Sequence, residues 1–177
     1  EQTLLLAEGD EVKVTNLQGV PTASATFTEA EGKPRHLALN GKHMAVATSK
    51  GLLRVYDVSR QPIKPLGGGT RFDFHPKKGA KAQRIGVIKS IAINADGTRV
   101  SILSDKVQGA GAAALRAPDT RVHVWNTDLD QLQPFNFGPG WYPVAHVWDP
   151  DEAKLFACES RRVKGVPRTA AEKALER

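Results

Sequence analysis

This sequence of 177 residues has one cysteine and few aromatic side chains. Both shortages exclude or disfavour particular classes of protein. The single cysteine, Cys158, cannot form an internal disulfide and fits a reducing compartment. Aromatic residues make up 6% of the chain, so few side chains could stack on nucleic-acid bases. No apolar run approaches the roughly 20 residues that a membrane-spanning helix requires. We therefore predict neither a disulfide scaffold nor a transmembrane segment.

The sequence also lacks targeting signals and catalytic motifs. It opens on Glu1–Ala7 without a basic segment, which argues against a secretory signal, and without an initiator Met, which suggests a piece of a longer chain. No nucleophile elbow, zinc-protease helix, Walker loop or dinucleotide-binding glycine motif occurs. Gly67–Thr70 could wrap a phosphate, but it lacks a lysine and a following helix, so we expect a plain flexible loop. We predict no enzyme and no cofactor.

The histidines and the cysteine do not predict a metal site. The five histidines are His36, His43, His75, His123 and His146. None falls at metal-ligand spacing with cysteine or acidic residues, and zinc needs about four converging ligands. Histidines in strands more often bond a backbone carbonyl. Cys158 ends the apolar run Leu155–Cys158, where we expect an inert thiol in an apolar strand.

What is present is a pattern of short alternating strands, seen best between Gly86 and Thr127. Ser90–Asn94 alternates apolar and polar residues, and Asn94–Gly97 is a tight turn in which glycine can take a positive φ. Arg99–Leu103 returns antiparallel, and Arg121–Thr127 forms a third strand rich in valine and tryptophan. This arrangement is typical of one blade of a WD-type β-propeller.

The same strands recur along the chain in the same order. The first strand occurs at 36–40, 90–94 and 145–149, the second at 3–7, 43–47, 99–103 and 154–158, and the third at 12–16, 53–57 and 122–126. The period of roughly 54 residues exceeds the roughly 40–45 of a compact WD blade because loops are inserted. The alternative is three unrelated hairpins in a β-sandwich. A sandwich would not require the same strand order and the same terminal aromatic–Asp/Asn pair in each copy.

We therefore predict an all-β fold, a partial WD40-type β-propeller of about three blades with a short C-terminal helix. A propeller closes with roughly four to eight blades, so residues 1–160 would form an incomplete one. The expected blade remnants are 1–28, 36–66, 86–137 and 143–160. Two linkers, Gln61–Ile85 and the flexible loop Val107–Pro118, would separate strands. Residues 161–177 would form a basic linker and a helix, because Thr169 and Glu172 make a capping box.

The last two residues of the third strand, an aromatic residue and an Asp or Asn, each have a predicted structural role. Tyr56 and Trp125 should pack into the gap between blades, because both faces of a blade are buried by its neighbours. The residues that follow, Asp57 and Asn126, should form hydrogen bonds in the next turn.

Two basic runs are the candidate interaction loops. The possible interaction residues are Lys77, Lys78, Lys81, Arg84, Arg161 and Arg162. The formal charge of +6 permits an acidic partner. Neither run is interleaved with aromatic residues, so no nucleic acid is expected as a partner. A solvated loop and an acidic protein partner both remain open.

Several non-repetitive segments resemble the intraflagellar transport protein 140 family, the WD-repeat subunits of the ciliary retrograde-transport complex A. They are the segments at 27–37, 56–60, 101–106 and 143–159. They occur in order between about Glu8 and Glu159. The resemblance implies the second of two N-terminal propellers, ahead of a helical-repeat tail. The connection at 138–140 is shorter than in family members, so no contact of that loop is carried over.

The resemblance also implies a role. It implies a non-catalytic scaffold in the cilium or flagellum, at the ciliary base and in the cytoplasm. Partners would be other intraflagellar transport A subunits, which are WD or helical-repeat proteins, and ciliary cargo or cargo adaptors. The alternatives are a propeller enzyme or acidic-ligand-binding propeller with its site in blades not present here, and a protein that binds nucleic acid or acidic membranes through its basic loops.

Overall fold

A computed structural model describes residues 3–59, 61–72, 85–108, 115–138 and 140–161. These ranges contain fourteen β-strands and no helix, so none that could cross a membrane. The strands are β1 (Thr3–Glu8), β2 (Glu11–Asn16), β3 (Pro21–Thr26), β4 (Pro34–Asn40), β5 (His43–Thr48), β6 (Leu52–Asp57), β7 (Lys64–Arg71), β8 (Val87–Ile93), β9 (Arg99–Gln108), β10 (Leu115–Pro118), β11 (Arg121–Asn126), β12 (Gln131–Asn136), β13 (Trp141–Trp148) and β14 (Leu155–Arg161). The predicted all-β fold is confirmed; the number of blades stays a prediction.

The strands form four antiparallel sheets, which we number I to IV along the chain. Sheet I contains β1–β3, sheet II β4–β7, sheet III β8–β12 and sheet IV β13–β14. In sheet III, β8 pairs with one edge of β9. The other edge of β9 pairs first with β11 and then with β10, so these two short strands follow one another along the same edge. Each sheet is thus a meander of neighbouring strands, as expected of a blade.

The core lies between successive sheets. Between sheets I and II, Val12 and Val14 belong to the same buried cluster as Met44 and Tyr56. Between sheets II and III, a cluster of twelve buried residues includes Leu53, Val55 and Trp125. Between sheets III and IV, the smaller cluster is Leu103, Val122, Val124 and Trp148. The prediction that Tyr56 and Trp125 lie between sheets is confirmed, since they are 4% and 2% exposed.

The second strand of sheet II shows what burial on both faces requires of a sequence. All six residues of β5 are buried, and the strand reads His-Met-Ala-Val-Ala-Thr. Its His43 is satisfied by the next sheet, because its Nδ1 donates to the carbonyl of Ala95 at 2.6 Å. A histidine bonded to a backbone carbonyl is the outcome expected from the sequence. Asn40 makes a parallel contact, donating to the carbonyl of Ile93 at 3.1 Å.

The expectation of a flexible loop at Gly67–Gly69 is wrong. These residues lie in β7, which pairs with β6 through Leu53↔Thr70 and Val55↔Leu66. The three glycines bulge out opposite a single residue, Arg54. Gly67 and Gly69 both have a φ of +74°, a conformation that favours glycine. The bulge breaks the alternating pattern, which is why the sequence did not indicate a strand.

The prediction of a flexible loop over Val107–Pro118 is also wrong at both ends of that segment, which lie in strands. β9 continues to Gln108, and β10 pairs with it through Leu115↔Gln108 and Pro118↔Asp105. Proline is tolerated there because β10 lies at an edge of the sheet. The helix expected within 161–177 falls on residues outside the described ranges, apart from Arg161, which ends β14, and stays a prediction.

Candidate functional site

The structure describes one of the six candidate interaction residues. Arg161 is exposed at the end of β14, and its guanidinium carbon lies 5.5 Å from the centroid of the Trp141 ring. This is cation–π geometry across the β13–β14 pair. The other five, Lys77, Lys78, Lys81, Arg84 and Arg162, lie outside the described residues. Their role as interaction residues stays a prediction.

The described residues on either side of the first basic run are buried. Phe72 and Ile85 are 1% and 4% exposed and belong to the same cluster between sheets II and III. Next to Ile85, Gly86 packs so closely on the backbone of Asp105 that a Cβ atom would lie 1.5 Å from its carbonyl oxygen. The residues that precede and follow segment 73–84 therefore both lie in the buried cluster between sheets II and III.

Basic side chains surround two carboxylates at this end of sheet III. Lys89 lies 3.6 Å from Asp105. Asp119 is buried and accepts two hydrogen bonds from Arg121, at 2.9 and 2.8 Å, with Lys106 at 3.9 Å. The bidentate bond and the attraction of Asp119 raise the pKa of Arg121 above its usual value. Among the described side chains at this end, three cations therefore face two acids.

The strand-end acids and amides work as turn caps. Asp57 Oδ1 accepts from the backbone N–H and the hydroxyl of Ser59, at 2.9 and 2.6 Å. Asn126 Oδ1 accepts from the N–H groups of Asp128 and Leu129, at 3.0 and 3.1 Å. The predicted hydrogen bonds are thus confirmed. They stabilise the turns that join strands.

His123 is buried and His146 is partly buried, and both lie in strands. Burial lowers the pKa of His123 to about 4, with Asp119 opposing that change and Arg121 adding to it. Burial likewise lowers the pKa of His146 to about 4, and its Nε2 lies 2.9 Å from Ser90 Oγ. Both rings are therefore neutral at physiological pH. Within the described ranges, no three histidine, cysteine or acidic side chains come together to hold a metal ion.

The expected placement of Cys158 in a strand is confirmed, whereas its inertness stays a prediction. Cys158 is exposed on β14. Sheet IV has two strands among the described residues, and one of its faces, which carries Val147 and Phe156, is also exposed, at 59% and 55%. The apolar residues on this face of sheet IV are of the kind that is normally buried. No described residue covers this face.

The structure also shows a groove that sequence reasoning missed. It lies between sheets III and IV and has a volume of about 890 Å³. Its walls include Val122, Val124 and Phe135 from sheet III and Leu155 and Ala157 from sheet IV. Phe135 is 47% exposed there. The sequence of β12 could have indicated this groove. There, a proline and two glutamines interrupt the apolar pattern around one large aromatic residue, Phe135.

A solved structure shares this fold at low sequence identity. The crystal structure of the tricorn protease aligns with a TM-score of 0.50 and 14% identity, over 88% of this chain and 14% of that chain. At that identity the similarity concerns the fold alone. A nidogen/laminin complex aligns with a TM-score of 0.49 and 15% identity, over 88% of this chain and 52% of that chain. The chain thus spans about a seventh and about half of those chains.

The match to a sequence family is more specific than the similarity to solved structures. A family model described as the IFT140 second beta-propeller matches residues 1–176, nearly the entire chain. The match agrees with the four packed antiparallel sheets and with the strand-end aromatic residues between them. The chain belongs to the IFT140 second beta-propeller family.

Proposed function

We propose that this chain is part of a non-catalytic scaffold subunit of the intraflagellar transport A complex. It would support retrograde ciliary transport, cilium assembly and trafficking of ciliary membrane cargo through protein–protein contacts. The observation that carries the proposal is the family match over residues 1–176. The structure supports it with four sheets whose edges and outer faces offer broad contact surfaces.

The partners we propose are other subunits of that complex, built from WD and helical repeats, together with ciliary cargo or cargo adaptors. The protein would work in the cilium or flagellum, at its base and in the cytoplasm. The positive end of sheet III supports contact with an acidic protein surface, because Lys89, Lys106 and Arg121 lie there beside the buried ends of segment 73–84. No observation on the described residues favours the alternative of a propeller enzyme.

The test uses the full-length parent protein, tagged and expressed in a ciliated cell. We expect it to move along the axoneme and to co-purify with a fixed set of WD and helical-repeat proteins. A protein that purifies alone and stays out of cilia would contradict the scaffold role.

A charge-reversal variant tests the basic loop separately. Lys77→Glu, Lys78→Glu, Lys81→Glu and Arg84→Glu together should reduce recovery of at least one partner and make the remaining recovery less sensitive to salt. A control with half as many reversed charges uses exposed lysines elsewhere, Lys42→Glu and Lys64→Glu. Equal recovery with both variants would remove the loop from the interface and leave the scaffold role standing.

A further inference from the structure

One end of sheet II carries exposed cations that have no acidic partner. They lie around the start of β4, in the turn after β5 and at the end of β7, and they are Lys33, Arg35, Lys50 and Arg71. Among the described residues, no carboxylate forms a salt bridge with any of the four. Arg54 is different, because its guanidinium lies 2.8 Å from the Glu31 carboxylate. We call the four unpaired residues the sheet II cations.

Two of the sheet II cations are held in place by backbone carbonyls. Lys50 Nζ donates to the carbonyl of Glu29 at 2.6 Å, and Arg71 Nη2 donates to the carbonyl of Ala30 at 3.1 Å. A carbonyl has only a partial charge, so it orients a cation without neutralising it, and both cationic groups keep further N–H donors. Side chains that are already held in position lose less conformational entropy when a ligand binds. Lys50 and Arg71 are therefore oriented donors for an anionic group.

The charge of segment 73–84 cannot neutralise the sheet II cations. This segment joins the end of β7 to the start of β8, and its sequence contains four cations and one acid, Asp73. Sheets II and III also have a neighbouring sheet on each face within the described residues. The positive charge at this end of sheet II is therefore a property of the fold and not of where the sequence begins or ends.

Acidic residues border this surface and occupy the opposite end of the sheets. At the same end of sheet I, the β1–β2 turn carries Glu8, Asp10 and Glu11, and only Lys13 pairs with acids of that turn among the described residues. At the opposite end of sheets III and IV, two cations accompany six acids, which are Asp96, Asp128, Asp130, Asp149, Asp151 and Glu152. The formal charge of +6 is therefore distributed unevenly, and the end of sheet II is a positive region with a defined border.

The turns at this end of sheet II provide charge but no large apolar side chain. None of the exposed large apolar residues lies in segments 28–35, 48–51 or 70–72. Proteins that insert into a membrane surface use such side chains, and proteins that bind single-stranded nucleic acid stack bases on aromatic rings. A polypeptide that presents carboxylates requires neither. An acidic polypeptide is therefore the class of partner that this surface suits best.

We propose that the sheet II cations bind an acidic segment of a partner protein. Carboxylates of that segment accept charge-assisted hydrogen bonds from Lys50 and Arg71, while Lys33 and Arg35 add attraction beside them. The acids of the β1–β2 turn repel the segment, so it extends from sheet II toward sheet III and not toward sheet I. This inference deepens the proposed scaffold role and rests on it, because it names the chemistry of a partner segment and the place where that segment binds.

The test measures peptide binding to the purified full-length parent protein by fluorescence anisotropy. The probe is a rhodamine-labelled peptide of alternating glutamate and serine, and a peptide with glutamine in place of glutamate is the neutral comparison. We expect saturable binding of the acidic peptide alone, weakened about fivefold or more by Lys33→Glu with Arg35→Glu. The matched control, Lys42→Glu with Lys64→Glu, makes the same charge change on exposed residues at the opposite end of sheet II. It should leave the affinity within about twofold of the unchanged protein.

A third variant, Arg71→Gln, removes one oriented donor without reversing a charge. It should weaken binding of the acidic peptide by a smaller factor than the double reversal does. Added salt should weaken binding to the unchanged protein, and it should have less effect on the double reversal. Circular dichroism checks that each variant is folded, and Arg71→Gln tests the surface independently of the double reversal.

Several results would overturn the inference. They are no saturable binding of the acidic peptide, equal binding of the neutral peptide, or equal weakening by the two double variants. Tighter binding to phosphatidylserine vesicles or to an RNA duplex than to the peptide, lost with Lys33→Glu and Arg35→Glu, would assign the surface to a membrane or to nucleic acid instead. Because the assay uses purified protein, its failure would leave co-purification in ciliated cells, and hence the scaffold role, untouched.

Discussion

At the scale of single residues, this fold depends on side chains enclosed by two sheets at once. Ile93 is an example, since it is 3% exposed and belongs to the cluster between sheets II and III. A charged group at that position would lose its water and gain no counter-ion.

We predict that Ile93→Asp destabilises the protein by several kcal/mol, enough to unfold it or to lower its melting temperature strongly. The control, Ile93→Val, should cost only about 0.5–1.5 kcal/mol because it removes one methylene group. Thermal unfolding followed by circular dichroism measures both. A melting curve for Ile93→Asp that matches the unchanged protein would contradict the position of this residue in the core.

His123 makes stability depend on pH. Its side chain is 1% exposed, and burial lowers its pKa from 6.5 to about 4. Between these values the unfolded chain binds a proton that the folded chain does not, so stability is complete above about pH 6.5 and falls as the pH drops toward 4. The loss for this residue should approach about 1.4 kcal/mol per pH unit.

Urea unfolding at pH 7.5 and at pH 5 measures that dependence. His123→Gln should reduce the difference between the two pH values, and adding His146→Gln should reduce it further, because burial lowers the pKa of His146 in the same direction. A pH dependence unchanged in the double variant would contradict the neutral state of both rings.

At the scale of strands, two of the three glycines of the β7 bulge have a positive φ, and one of these two, Gly69, also packs against the backbone of β6. Gly69 has a φ of +74°, and a Cβ atom there would lie 2.7 Å from the carbonyl oxygen of Leu53. Gly68, its neighbour, has a φ outside the left-handed region, and a Cβ atom there would meet nothing within 4 Å. The two glycines differ in conformation and space, although they are adjacent in sequence.

We predict that Gly69→Ala destabilises the protein by roughly 1–3 kcal/mol, because alanine would be strained at that φ and would press on the backbone of β6. Gly68→Ala should be neutral or slightly stabilising, since it reduces the freedom of the unfolded chain. Chemical denaturation of both variants provides the comparison. Equal effects would show that the bulge is not held against β6.

The strands that sequence analysis identified and those that it missed differ in one respect. β4, β5, β6, β8 and β11 alternate or run apolar without interruption, and both patterns follow from burial between sheets. β7 and β10 pair at outer positions, where a glycine bulge or a proline is tolerated and no apolar pattern is required. The groove was not predictable at all, because it arises from which strands lie side by side and not from the pattern within any of them.

At the scale of the molecule, the four sheets differ in how well they are covered. Sheets II and III contact a neighbouring sheet on both faces, whereas the described parts of sheets I and IV contact one on a single face. The uncovered faces carry exposed apolar residues, such as Leu4 and Leu6 on β1 and Val147 and Phe156 on sheet IV. Exposed apolar residues that lie together on one face are typical of a face that packs against another surface.

We predict that amide hydrogen exchange follows this coverage. Amides of β5 and of the 99–104 part of β9 should exchange most slowly, and those of β14 most rapidly, because β5 is buried throughout whereas six of the seven residues of β14 are exposed. Exchange measured by mass spectrometry on the full chain can separate these strands. Uniform protection across all four sheets would show that the uncovered faces are as stable as the enclosed ones.

The exposure of Cys158 has a practical consequence. It is the only thiol in the sequence, and it lies on the strand whose outer edge borders the groove. A maleimide dye would therefore attach at one known position without any engineered mutation. The fluorescence of the attached dye would change when another molecule binds next to β14. Binding at this strand could therefore be measured with the unchanged sequence.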